Sequence, residues 1–82
     1  MEFPELKQIF IANTEQALAS NPCWRYGQAM FNVNSGFFGH VRATALDPFY
    51  KSKEDLDDDW WDEMDKLYQR IRINNESNSS GN

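Results

Sequence analysis

Apolar residues recur at three-to-four spacing in three stretches of this chain, and each stretch predicts a helix with one buried face. Over residues 4–19, PELKQIFIANTEQALA, the pattern brings Leu6, Ile9, Phe10, Ala17 and Leu18 together, with Asn13 and Thr14 interrupting it. Pro4 stands where a first helical turn tolerates proline. The next stretch opens with Asn21-Pro22, a capping residue followed by a favoured first helical residue, so a second helix is expected to begin there. Its core stripe is Tyr26, Ala29, Met30, Val33 and then Phe37. Gly27 inside it costs about 1 kcal/mol against alanine, which predicts a neighbouring element close against the backbone.

Asn34-Ser35-Gly36 reads as a break. Beyond it, FFGHVRATAL, residues 37–46, is expected to resume as a short helix capped by Ser35, with strand the alternative because of its Val, Thr and Phe content. Asp47-Pro48 closes that segment, since a residue before proline is pushed out of the helical region. DPFYKSK is then a loop. Ser52, with Asp55 three residues later, predicts the start of a last helix in the manner of a capping box. On that helix Leu56, Trp60, Met64, Leu67 and Ile71 share one face, with Trp61 and Tyr68 beside it. Acids crowd its start and Lys66, Arg70 and Arg72 its end, as the helix dipole prefers, and Asp62 and Lys66 are spaced for an i,i+4 pair. The closing NNESNSSGN is polar and low in complexity, the composition of a disordered tail. The expected fold is a small all-α domain of three to four helices over residues 1–73, followed by that tail at 74–82.

Two segments, RYGQAMFN at 25–32 and DPFY at 47–50, resemble a pattern found in a family of short uncharacterised bacterial and phage proteins. That pattern is an RYGQAxFN helix, an IRGT-like segment and then DPFY. The middle reads VRAT here, residues 41–44, with Ala43 where the family tends to have glycine. The resemblance implies a shared fold and a bacterial or phage origin, and it carries no activity. Physically, the segments suggest an internal clasp. Arg25 and Arg42 would hold Asp47 or backbone carbonyls, because guanidinium forks suit carboxylates, while Tyr26, Phe31, Phe49 and Tyr50 pack around them.

Composition narrows the function. A chain of 82 residues supports one domain with a modest core, partly compensated by three Trp, three Tyr and six Phe. The single cysteine, Cys23, excludes an intrachain disulfide and a multi-cysteine zinc site. No basic segment followed by an apolar one opens MEFPELKQIF, and no run approaches a membrane span, so a soluble, cytoplasmic protein is expected. Formal charge is −5, yet EDLDDDWWDEMD, residues 54–65, alone holds eight carboxylates and no base. Such a lopsided molecule is steered toward basic protein surfaces and away from nucleic acid.

Candidate chemistry is sparse. Asp55, Asp57 and Asp59 match the first ligand positions of a calcium loop, but Trp60 replaces its glycine and Lys66 its final glutamate. Cys23 and His40 are the only nucleophile and base of their kinds, with no spacing that joins them. Trp24-Arg25-Tyr26 with Arg42 is too weakly basic for direct nucleic-acid binding. No catalytic residue, cofactor or metal is expected. The leading expectation is a non-enzymatic interaction module, a phage-encoded inhibitor or nucleic-acid mimic in its sharpest form. It would meet a basic partner protein through Asp57, Asp58, Trp61, Asp62, Asp65 and Tyr68. The alternatives are a self-associating homodimer, and a small metal-binding, ligand-binding or catalytic protein using Cys23, His40 or the aspartates.

Overall fold

The computed structural model describes the backbone of residues 1–80 and the side chains of residues 1–74. Four helices, α1 (Phe3–Ser20), α2 (Tyr26–Val33), α3 (Ser35–Phe38) and α4 (Asp58–Ser80), are joined by two 3₁₀ turns at Gly39–Val41 and Pro48–Tyr50. The all-α expectation holds, and the described residues contain no strand. None of the described helices is long and apolar enough to cross a membrane. From residue 75 onward the disordered tail expected at 74–82 lies outside the residues described with their side chains.

Helix α1 forms where its spacing predicted, with Pro4 in its first turn. Its buried face is Phe3, Phe10 and Thr14, while Ile9 is exposed. Thr14 therefore completes the stripe that its polarity seemed to interrupt. It can be buried because its hydroxyl donates to the Phe10 carbonyl at 2.7 Å, so no hydrogen-bonding group is stranded. Asn34, also buried, sits beside this bond: its Nδ2 donates to the Met30 carbonyl at 3.0 Å, and its Oδ1 accepts from Asn13 at 3.2 Å.

The second helix begins later than expected. Asn21 does not cap it but closes α1, where both its backbone N–H and its Nδ2 donate to the Ala17 carbonyl. Residues 22–24 form a turn, and α2 starts at Tyr26 with Arg25 as its extended N-cap and the Gln28 side chain accepting from the Arg25 N–H. Helix α2 buries Gly27, Ala29 and Met30, whereas Val33 is left 40% exposed. Gly27 explains the shift of face. A Cβ there would lie 1.9 Å from the Pro48 carbonyl oxygen and 2.3 Å from that of Lys51, while the Gly27 N–H donates to Lys51 at 3.1 Å. The predicted close neighbour is thus the 3₁₀ turn at 48–50.

Residues 37–46 hold neither the single helix nor the strand considered for them. Asn34, not Ser35, precedes one helical turn, α3; the 3₁₀ turn and a series of tight turns follow. Among them Ala43 has φ +62°, a left-handed conformation in a residue with a Cβ.

Helix α4 starts at Asp58, beyond the predicted Ser52–Asp55 box. Half of that box forms, the Ser52 N–H donating to the Asp55 carboxylate at 3.1 Å, and it closes a separate turn at 53–56. Asp57 is the cap: its Oδ1 accepts from the Trp60 N–H at 3.0 Å and its carbonyl from Trp61. Leu56 and Trp61 flank the cap at the two positions of a hydrophobic staple, and both are buried in the core. That core joins Phe3 and Phe10 of α1, Met30 of α2, Phe38 of α3, Val41, and Trp60, Trp61 and Met64 of α4. Each such side chain contributes about 1.5–3 kcal/mol by leaving water. Aromatic rings hold the helices together: Phe10 lies 5.0 Å from Phe38, which stacks on Trp60 at 5.7 Å, and Trp60 meets Trp61 edge-on at 4.8 Å.

Candidate functional site

The acidic stretch owes its geometry to what lies beneath it. Trp60 and Trp61 are only 5% and 7% exposed, so the first turns of α4 are anchored inward and their aspartates turn outward. Asp58, Asp59 and Asp62 are exposed, and among the described residues none of them forms an ion pair. Asp65 is half-buried and accepts from Gln69 at 3.0 Å. The expected Asp62–Lys66 pair is absent; Lys66 lies 3.5 Å from Glu63 instead, one turn back on its own side of the helix.

Two of the predicted contact residues change role. Trp61 is not a surface anchor, because its indole packs against Phe3 and carries Lys7 Nζ 5.0 Å above its ring. Asp57 is exposed but capped onto the helix end, so its charge is committed to the backbone. Tyr68 is half-buried; its hydroxyl donates to the Met1 carbonyl, and Phe3, Phe37 and the Arg72 guanidinium surround its ring. Asp59, left out of the predicted set, is as exposed as Asp58. Its place in the first turn of α4, where the dipole favours acids, was the signal available.

Beside these aspartates lies a shallow cleft of about 210 Å³, lined by Phe3, Pro4, Lys7, Trp61, Asp62 and Asp65. It offers an apolar floor with a carboxylate rim. Lys7, placed over the indole, occupies the position that a basic side chain from another molecule would seek.

The second predicted constellation forms around Asp47, though not through guanidinium. Asp47 Oδ2 accepts from the Ala43 N–H at 2.8 Å and Oδ1 from Phe49 at 2.9 Å, and among the described residues neither Arg25 nor Arg42 is ion-paired. Neighbouring N–H groups reach the carboxylate without the ordering of a long side chain, which is why they displace the arginines. Phe31 meets Phe49 edge-on at 6.0 Å, as the clasp requires, but Tyr50 stands 77% exposed. The three segments 25–32, 41–44 and 47–50 converge here on a cleft of about 370 Å³, with Phe31, Arg42, Asp47 and Tyr50 in its walls. Tyr26 lies half-buried under Lys53 Nζ, 5.5 Å from its ring, and burial followed by the charge of Glu15 raises its hydroxyl pKa above 10.0.

The remaining candidates lie in different turns. Cys23 and His40 are both exposed, one in the turn after α1 and the other in the 3₁₀ turn at 39–41. Among the described residues no three His, Cys, Asp or Glu side chains gather as metal ligands. Asp55, which led the calcium-loop match, is held below its ordinary pKa of 3.8 by hydrogen bonds from the Ser52 backbone and then the Ser52 hydroxyl. Comparison with protein-family models, with curated proteins and with solved structures finds no match to this chain.

Proposed function

We propose that this protein is a non-enzymatic interaction module that binds a basic protein surface through the start of α4. The observation that carries this reading is the outward row of Asp58, Asp59 and Asp62, without ion-pair partners among the described residues, over a rigid floor of Trp60 and Trp61. Asp58, Asp59 and Asp62 span about 6 Å of helix at 1.5 Å per residue, or one charge per about 2 Å. Duplex DNA carries one per about 1.7 Å. This likeness supports the finer reading, a nucleic-acid mimic that inhibits a basic, nucleic-acid-binding protein.

The test is capture of partners from a bacterial lysate by the intact protein and by an Asp58→Asn/Asp59→Asn/Asp62→Asn variant, with washes at low and high salt. Asp57 is left in place because it caps the helix. The expected result is one basic protein retained by the parent, released by salt and lost by the variant, with both forms equally folded by circular dichroism. Retention of the same partner by the folded variant would sink the proposal.

A further inference from the structure

A shallow, open groove of about 550 Å³ lies between the C-terminal half of α1, the turn carrying Trp24 and Val33 at the end of α2, with no residue of α4 in its walls. Its lining differs from that of the clefts at Asp47 and at Asp62, which carry charged side chains. Asn13, Gln16, Ser20 and Asn21 supply amides and a hydroxyl, Trp24 and Val33 supply apolar area, and no charged side chain takes part. In a chain with eight Lys and Arg and thirteen Asp and Glu, an uncharged groove of this size constrains what can bind. The groove offers an ionic ligand no counter-charge, and a purely apolar one makes no use of the amides.

Several of these groups are held in place. Asn13 Nδ2 donates to Asn34 and Asn21 Nδ2 donates to the Ala17 carbonyl, which fixes both amides by their nitrogens and leaves their oxygens as acceptors. The Trp24 N–H donates to the Asn21 carbonyl at 3.0 Å, so the turn carrying the indole is tied to the end of α1. Gln16 is exposed and lines the groove. Trp24 is the least buried of the three tryptophans. Fixed acceptors, an exposed glutamine and a hydroxyl beside an indole form a complement to a ligand with many hydroxyls and one apolar face.

We propose that this groove binds a neutral saccharide, with one face of a pyranose ring against Trp24 and its hydroxyls on Asn13, Gln16 and Asn21. The site is separate from the acidic surface of α4, and the two stand or fall independently.

The test is titration of the intact protein with glucose, N-acetylglucosamine, cellobiose and chitobiose, and with glycerol as a polyol that has no ring face. Binding is followed by tryptophan fluorescence and by NMR of the indole and side-chain amide N–H groups. At least one saccharide should produce a saturable change confined to the Trp24 indole and the Asn13, Gln16 and Asn21 amides, with glycerol silent. Trp24→Ala and Gln16→Ala should each weaken it, the former by about tenfold, and Gln16→Ala, at an exposed position, keeps the test valid if the tryptophan variant fails to fold. Silence toward all four saccharides overturns the proposal, as does an equal response to glycerol or undiminished binding by folded Trp24→Ala.

Discussion

Replacing Gly27 by alanine places a methyl group where the Pro48 and Lys51 carbonyl oxygens already lie, at 1.9 and 2.3 Å. Both obstacles are backbone, so no side chain can swing aside. The turn at 48–50 must recede by roughly 1 Å, and a close-packed interior does not absorb such a shift freely. Overpacking of this kind costs about 1–3 kcal/mol. Loss of the Gly27-to-Lys51 hydrogen bond adds about 1 kcal/mol, while the better helix propensity of alanine returns about 1 kcal/mol. The expected destabilisation is therefore about 1–3 kcal/mol, a fall in Tm on the order of 10 °C for a domain of this size. Gly36→Ala is the matched control, since nothing lies within 4 Å of its added Cβ and the residue is helical. It should be neutral or stabilising by less than about 1 kcal/mol. Urea melts of the two variants, followed by circular dichroism, decide the matter. Equal midpoints for Gly27→Ala and Gly36→Ala would refute the close approach of α2 to the turn.

Three further outcomes follow from local geometry. Asp57→Ala removes the side chain that accepts from the Trp60 N–H and should cost about 1 kcal/mol in a urea melt; an unchanged midpoint would show that Asp57 is not the cap. Ala43→Gly should stabilise by about 0.5 kcal/mol, because relief of a left-handed alanine, about 1 kcal/mol, outweighs the added freedom of the unfolded glycine; destabilisation would contradict the assigned backbone. Asp55 has a folded pKa below its ordinary 3.8, so the unfolded chain binds its proton first as pH falls. Its contribution is therefore complete above that ordinary value and disappears as pH drops through the folded one. Asp55→Asn should make the acid limb of the stability curve shallower below pH 3.8, and an identical limb would remove Ser52 as its partner.

Long helices were the legible part of this sequence. Helix α4 shows because Trp60, Met64 and Leu67 repeat at helical spacing against a charged background, and α1 because Leu6 and Phe10 do the same. The start of α2 was misread because Asn-Pro marks a helix boundary without saying on which side the helix lies. Asn21 turned back to α1, where a free carbonyl was within reach. The site around Asp47 was legible as a cluster but not in its bonding, since a sequence displays charged side chains while backbone N–H donors belong to every residue alike. The aspartates of the acidic stretch could be read directly, but the burial of Trp61 and the capping role of Asp57 could not. The groove at Trp24 could not, because Asn13, Trp24 and Val33 line one surface only once α1 and α2 are packed.

The indole of Trp60 has a consequence for how the domain opens. Its Nε1–H donates to the Leu46 carbonyl at 2.9 Å, joining the longest helix to the irregular turns after Val41. That proton can exchange with solvent only when the helix and the turns part. Its exchange rate is thus a built-in clock for their separation, one resonance that tells whether this small domain opens in stages or all at once.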